Sequence, residues 1–395
     1  MKRIQGRYGK WLAALGIGII AGLITTVTLL IEGHGLFNAN DVLMWTLPLG
    51  VYVFLALTSS GLTLLSALPL VFRVKRYEPL AKRLVFLSIA TLAGAFVAIG
   101  LELGSVHHMI YIMFSPNLSS PIWWMGAIYS MELVVLIAKF WKMHIGDWHS
   151  RLARALGPVS FILALIAPMM IGSVFGLTES RVTYFGPIMS VYCLLMALLS
   201  GLALFILYST VLTRITATTV AGDQVPLHDE FAVMFTYVTG IVVGFSLLKV
   251  VIESATTIPE FLVYHKFGRV FGAWGGFHVE LLLGLCLPFL LLLIPAVRRT
   301  SRGKLVTSAL VLAGTLSMHM EILMAGQSHP VGPKAEQFPE FVRYFPSIWE
   351  WLVFVFALSV ILLLYTLGER YLKLDGTPSQ GPSSVEGAAQ GVSTH

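Results

Sequence analysis

Charged residues are scarce in this chain. Of its 395 residues 12% are charged and 56% are apolar, whereas an ordinary soluble domain carries roughly 25% charge. The mean hydropathy is +0.82. Because surface area limits how much apolar side chain one soluble domain can bury, this composition excludes a soluble enzyme, a disordered chain and a secreted disulfide scaffold. It predicts a polytopic membrane protein.

Sulfur ligands are equally scarce. The two cysteines, Cys193 and Cys286, both lie in apolar runs, and a disulfide framework, a four-thiolate zinc site or an iron–sulfur cluster needs more of them. The chain has no H-E-x-x-H, Walker or dinucleotide-binding motif. His278 and His319 are the conceivable axial pair for a haem, but each has a carboxylate two residues later. We therefore expect no haem, iron–sulfur cluster or other metal in this chain.

Long apolar runs dominate what remains. A bilayer core about 30 Å thick needs about 20 apolar residues in a helix, and continuous runs without alternation favour helices over a barrel. The sequence predicts an all-α fold of about ten transmembrane helices, at 11–31, 44–72, 84–104, 121–141, 155–176, 187–213, 231–257, 273–297, 304–325 and 345–368.

Basic residues orient these helices. With ten spans, 20 of the 26 Lys and Arg residues fall on one side and five on the other, and such an excess marks the cytoplasmic side. The net charge of +6 therefore reflects orientation, not nucleic-acid binding. We expect a multi-pass protein of a bacterial or archaeal inner membrane with both termini cytoplasmic. Residues 1–40 form a basic arm and signal-anchor helix, and 376–395 a disordered tail.

A few ionisable residues interrupt the apolar runs. Glu132 lies near the middle of the fourth span, where a carboxyl is expensive unless it is protonated or hydrogen-bonded. Lys249 and Glu253 are four residues apart and share a helix face, so they form either a structural pair or a proton-handling pair. For three carboxylates at helix ends, interfacial solvation is the simpler interpretation: Glu280, Glu321 and Glu350.

Five segments carry motifs that follow one another along the chain. The opening segment 41–79 has a Trp and a Pro before a helix, a Ser-Ser-Gly step and a basic loop ending in Tyr-x-Pro. GLELG at 100–104 is an acidic-Leu-Gly step, and SPIWWMGAIYS at 120–130 is a Trp-rich helix start. Together these segments resemble the membrane subunits of the NrfD, or PsrC-like polysulfide-reductase, family. The stretches 171–204 and 277–293 resemble the ten-helix branch of that family, which includes the DsrP and HybB subunits.

The resemblance covers residues 41–370 and implies an architecture and a function. Two four-helix bundles, 41–185 and 186–328, would be followed by an outer loop and last helix, 329–375. Members exchange electrons with menaquinone or ubiquinone and carry no haem. They dock on a ferredoxin-like iron–sulfur subunit, which serves a catalytic partner such as a molybdopterin enzyme, a hydrogenase or a cytochrome.

The resemblance also implies a quinone site near the outer face of the first bundle. Glu102 stands at the family's acidic position and would bind a quinone oxygen or take its proton, since a quinol loses two protons with its two electrons. Trp45 and Thr46 stand where members place ring-contacting or polar groups. His107 and His108 are expected to supply an imidazole.

Two further hypotheses concern protons. Within the respiratory interpretation, ionisable groups at several depths predict a proton path through Glu132, Lys249, Glu253 and Glu280. The alternative is a secondary transporter or proton-translocating protein that uses some of the same groups. No convincing internal repeat supports the transporter, although such repeats are common in that class.

Overall fold

The computed structural model describes residues 2–103, 111–179, 185–216, 225–255 and 280–327 and, with short gaps after 327, the chain from 330 to 374. Within these ranges the chain is helical and has no strand, which confirms an all-α polytopic membrane protein. Its main helices are α1 Lys2–Glu32, α2 Leu47–Leu70, α3 Glu78–Glu102, α4 Pro121–His144, α5 Arg151–Gly176, α6 Ile188–Thr216, α7 Val225–Ala255, α8 Leu287–Leu293 after a π-helix Glu280–Cys286, α9 Ser301–Gln327 and α10 Ile348–Tyr371. Single helical turns lie at Tyr111–Phe114 and Pro295–Arg298.

Nine of these helices are long and apolar enough to cross a membrane, counted over the described ranges alone. They correspond to nine of the ten predicted spans. The predicted span at 273–297 lies partly outside the described residues, and what is described of it is a shorter apolar helix, Leu281–Leu293. The predicted disordered tail at 376–395 lies wholly outside them.

Local sequence explains several helix starts. Pro48, Pro79 and Pro121 occupy the first turns of α2, α3 and α4, where the missing amide proton costs nothing. The hydroxyls of Ser150 and Ser347 accept hydrogen bonds from the third residue beyond them, at 3.2 and 3.3 Å, and so cap α5 and α10.

Helix α2 is the centre of the bundle. Inside its most apolar window 94% of residues are buried, against 28% for α1. It packs against α3, α5, α6 and α9, and α1 packs chiefly against α10. Gly61 and Gly201 permit the close approach of α2 and α6, because a Cβ on Gly201 would lie 2.7 Å from the Gly61 Cα. Since α2 contacts helices of both predicted bundles, the division at 185 stays a prediction.

Helix α10 is fastened to α3 along its length. Near one end, Arg83 pairs with Glu369 at 2.7 Å and Lys82 donates to the Leu372 carbonyl at 3.1 Å. Further along, the hydroxyls of Thr91 and Tyr365 are 2.5 Å apart. Lys82 and Arg83 lie inside α3 and are buried, so they stabilise the fold.

The two ends of the bundle are named by helix α2. The "basic face" is the end where α2 ends and α3 begins, and the "site end" is the end where α2 begins.

Candidate functional site

Six consecutive backbone amides at the site end are bound by side chains from elsewhere in the chain. Residues 42–47 lead into α2, and each donates its N–H to a side-chain oxygen. The Asn40 side chain accepts from residues 42 and 43 at 2.9 and 2.8 Å. Gln327, the last residue of α9, accepts from residues 44 and 45 at 2.9 and 2.8 Å. Residues 42–46 precede α2 and Leu47 is its first residue, so these contacts fix the segment that leads into the helix.

Glu102 is the first of two carboxylates at this end, and both of its oxygens bind Thr46. Oε1 accepts the Thr46 backbone N–H at 2.8 Å, and Oε2 accepts the Thr46 hydroxyl at 2.6 Å. The backbone carbonyl of Glu102 contacts the His34 imidazole. The end of α3 is thus joined to the start of α2 through the residue expected to handle a quinone proton.

The second carboxylate, Glu350, comes from α10. It is 0% exposed, and its Oε1 accepts the Asn38 backbone N–H at 2.8 Å. Its Oε2 accepts the Tyr344 hydroxyl, and that hydroxyl oxygen accepts the Leu47 N–H at 2.7 Å. Burial raises the pKa of Tyr344 well above its usual value, so the phenol stays a donor.

An apolar cavity lies one helical turn deeper than Thr46. Its wall includes Gly50 and Val53 of α2, Phe175 of α5, Cys193 of α6, and His319 and Leu323 of α9. The Trp45 ring meets the Phe175 ring edge-on at 5.8 Å, which joins this wall to the 42–47 segment. The cavity measures about 10 Å³, at most the room that one water molecule needs, so a larger ligand enters only when the lining side chains move apart. Apolar and aromatic groups with a few polar groups are typical of small-molecule sites.

His319 is the polar group of this cavity. It is only 5% exposed, and neither ring nitrogen makes a hydrogen bond of ordinary geometry to a described atom. A buried polar group without a partner is costly. The Thr315 backbone interacts with the ring, so one ring nitrogen has hydrogen-bonding capacity for a ligand in the cavity.

The structure brings together three of the five predicted quinone residues. Trp45, Thr46 and Glu102 meet at the site end, whereas His107 and His108 lie outside the described residues. Sequence reasoning assigned no quinone role to the other side chains that complete the site, Asn40, Gln327, Tyr344 and Glu350. It considered His319 only as part of a haem pair. A polar residue at the end of an apolar run was the available signal for Gln327 and Glu350.

The interpretation of Glu321 and Glu350 as solvated helix ends is wrong. Their exposures are 3% and 0%, because α9 and α10 begin or end against other helices and not in open water. Glu280 opens the π-helix, and its side chain lies outside the described part of the structure. Among described residues, no group of three His, Cys, Asp or Glu side chains is placed to hold a metal ion.

Of the other predicted proton-path residues, Glu132 on α4 and Lys249 on α7 have described side chains. Glu132 is buried near the middle of α4 and accepts the Ser60 hydroxyl at 3.1 Å, so the hydrogen-bonded state expected for it is confirmed. The Lys249 ammonium lies 5.5 Å from the Tyr192 ring centroid. Glu253 belongs to α7, but its side chain is outside the described residues, and the predicted pairing with Lys249 stays a prediction.

A known protein family matches most of this chain. The model of the NrfD polysulphide reductase family matches residues 35–331. The chain belongs to this family. One relative is a putative membrane subunit of dimethyl sulfoxide reductase from Halobacterium salinarum, 24% identical over 97% of this chain and 95% of its own length. Another is an Hdr-like menaquinol oxidoreductase integral membrane subunit of Archaeoglobus fulgidus, 21% identical over 82% of this chain and 83% of its own length.

The NrfD match separates the core of this chain from its flanks. The matched residues include α2 through α9 and therefore the cavity, Glu102 and Gln327. Helices α1 and α10 lie outside it. Glu350 and Tyr344 thus reach the NrfD core from the C-terminal flank and complete the support of its first helix.

Proposed function

We propose that this chain is the quinone-reactive membrane subunit of a respiratory oxidoreductase complex. It exchanges electrons and protons between a membrane quinone, menaquinone or ubiquinone, and a partner subunit. The observation that carries this proposal is the apolar cavity beside a carboxylate. Glu102 binds Thr46, the Thr46 carbonyl accepts the Gly50 amide at 3.4 Å, and Gly50 lines the cavity.

The chemistry of a quinone fits these groups. Its ring needs an apolar slot, and its two carbonyls need polar partners. The Phe175 and Trp45 rings supply apolar contacts, and His319 supplies a hydrogen bond to one carbonyl. Glu102 takes a proton as quinol is oxidised or returns it as quinone is reduced, directly or through the Thr46 hydroxyl. His107 and His108 are proposed as further contacts.

The electrons require partner subunits. The names of the two relatives refer to membrane subunits of a dimethyl sulfoxide reductase and of a menaquinol oxidoreductase. By analogy, we propose a ferredoxin-like iron–sulfur subunit docked at the site end and a catalytic subunit beyond it. The catalytic subunit would be a molybdopterin enzyme, a hydrogenase or a cytochrome.

The excess of basic residues supports an orientation with both termini in the cytoplasm of a bacterial or archaeal cell. The site end then faces away from the cytoplasm. Glu132, Lys249, Glu253 and Glu280 remain the proposed proton path between the two faces.

Filling the cavity tests the proposal. The complex is purified from its native membranes in mild detergent, its subunits are identified, and oxidation of a short-chain menaquinol is measured. Cys193→Phe places a ring in the cavity and is expected to abolish quinol turnover. Met169→Phe, a lipid-facing change on α5 with 37% exposure, is the control. Full turnover by an assembled Cys193→Phe complex, or a chain that purifies without redox subunits, would contradict the proposal.

A further inference from the structure

Helix α4 carries two buried charged residues on one face. Glu132 is 0% exposed and Lys139 is 3% exposed. They are seven residues apart, which is about two turns and about 10 Å along the axis. Both point toward α2, because Glu132 accepts from Ser60 and Lys139 donates to Ser66. Charges inside a span are expensive and commonly mark a pathway.

Hydroxyl groups, not carboxylates, surround Lys139. Its ammonium donates to Ser66 Oγ at 3.1 Å and to Ser160 Oγ at 2.9 Å. The carboxylate of Glu132 uses one oxygen for Ser60, and its other oxygen is buried without a hydrogen bond of ordinary geometry among the described atoms. Thr63 stands between Ser60 and Ser66 in α2, so hydroxyl side chains occupy the α2 face between the two charges.

A second cavity reaches Lys139 from the basic face. It measures about 70 Å³ and is lined by Lys139, Lys142, Asp147, Trp148, Arg154 and Gly157, among others. A water molecule takes up about 30 Å³ in the liquid, so water can enter this cavity. The charged groups facing Lys139 here are Lys142, which pairs with Asp147 at 2.8 Å, and Arg154.

Polar side chains continue from Glu132 toward the site end. Tyr129 lies about one turn before Glu132 in α4, and its ring meets that of Tyr52 edge-on at 6.3 Å. Tyr52 belongs to α2, five residues after Leu47 at the start of the helix. On the α3 side, the Ser88 hydroxyl is 2.7 Å from that of Thr63. Lys139, Glu132 and these neighbours form a polar column inside the bundle.

We infer that Lys139 is the first residue of a proton path that opens at the basic face and leads to Glu132. This inference rests on the proposed quinone function. The Lys139 ammonium gives one proton to the Glu132 carboxylate, and the amine left behind takes one proton from cavity water. Ser66, Thr63 and water carry the proton between them. When the partner subunit supplies two electrons, reduction of a quinone consumes two protons, and quinol oxidation runs the path in reverse.

Chemical access tests the path without any quinone reaction. In an assembled complex whose chain carries Cys193→Ala and Cys286→Ala, Lys139→Cys is treated with a membrane-impermeant trimethylammonium methanethiosulfonate from either face. Leu136→Cys is the matched control, since Leu136 is buried on the same helix among Ala81, Val85 and Met143. We expect the cysteine at position 139 to react from the basic face at least about tenfold faster than the one at 136. Equal reaction at the two positions, or reaction from the site end alone, would overturn the inference.

Proton uptake gives the second readout. The complex is reconstituted in liposomes, and uptake from the basic-face side is recorded with a pH dye during quinone reduction. Lys139→Gln keeps a donor for Ser66 and Ser160 but cannot carry a proton, and should slow uptake from that side about 100-fold. Lys82→Gln changes a buried lysine outside the cavity and should leave uptake unchanged. Normal proton uptake by the Lys139→Gln complex would refute the path. Failure of the unmodified complex to reduce quinone would refute the proposed function.

Discussion

Two glutamates of the family core, Glu102 and Glu132, differ in what binds them. Glu102 accepts a backbone amide and a hydroxyl from a single residue, Thr46, at the start of α2. Glu132 accepts the side-chain hydroxyl of Ser60 in the middle of α2. The first carboxylate therefore helps to hold the backbone, and the second holds only side chains.

This difference gives Glu102 a structural role and makes Glu132 the better suited of the two to pass protons on. If the Thr46 N–H leaves Glu102, the start of α2 loses a hydrogen bond that fixes it. Glu102 can therefore exchange protons only while one of its carboxylate oxygens stays bonded to Thr46. The Ser60 hydroxyl can rotate, because a hydroxyl donates and accepts in several directions. The site end is thus built for fixed geometry, and the middle of the bundle for exchange.

Glu350→Ala should give the largest effect on stability, since Glu350 acts at the site end as a structural hydrogen-bond acceptor. The buried Tyr344 hydroxyl and the Asn38 backbone N–H would lose their acceptor, whereas the Leu47 N–H would keep the Tyr344 oxygen. An unsatisfied group costs about 1–3 kcal/mol when it is buried, so we expect a loss of about 2–4 kcal/mol, read as a lower melting temperature in detergent. Trp351→Ala on the lipid-facing side is the control. Equal melting of the two variants would show that the site end needs no support from α10.

Glu102→Gln should separate the structural role of Glu102 from its role in proton transfer. The amide oxygen can still accept the Thr46 N–H, and the amide nitrogen can donate to the Thr46 hydroxyl, so melting should change little. Proton transfer is lost, and we expect quinol turnover to fall about 100-fold. Thr46→Val, which keeps the carboxylate, should impair turnover less. Unchanged turnover in assembled Glu102→Gln would mean that Glu102 is a support alone.

Tyr344→Phe should cost about 1–2 kcal/mol, because one hydroxyl links Leu47 to Glu350. The pKa of Tyr344 is raised in the folded protein from its ordinary 10.0. Stability is therefore fully present below about pH 10 and falls as the pH rises further, since the unfolded chain then releases the proton first. Melting curves between about pH 8 and pH 11 should show this fall in the original chain and a smaller one in Tyr344→Phe.

The sequence predicted the fold well because membrane helices depend on local information. Apolar runs of the required length located nine described spans, with starts that differ from the helix starts by six to nine residues at α1, α3 and α7 and by at most four elsewhere. The order of weak motifs indicated the family. The start of α3 was less well predicted. Lys82 and Arg83 were assigned to a loop, but they lie in the helix, where partners on α10 compensate their burial.

The candidate site was predicted only where the resemblance supplied it. Glu102, Trp45 and Thr46 are within one segment or at a family motif, and they meet as expected. Gln327, Tyr344 and Glu350 reach the same place from about 300 residues away in the chain. No sequence pattern encodes such a contact, since it depends on how α9 and α10 pack. Lys139 was missed for a related reason: it lies near the end of the predicted span 121–141, and its partners come from α2 and α5.

Asp147→Asn should give the smallest effect on stability. Unlike the buried glutamates, Asp147 is a carboxylate in contact with water at the basic face. Hydrogen bonds from Lys142 and then Ser150 lower the pKa of Asp147 from 3.8 to about 2. A lowered pKa adds stability above about pH 4 that is lost as the pH falls through the folded value. Asp147→Asn should therefore melt slightly lower at about pH 5 and equally at about pH 2. Asp147 also accepts the Ser150 backbone N–H at 3.0 Å. A difference that persists at the lower pH would show that the contribution of Asp147 to stability does not depend on its charge.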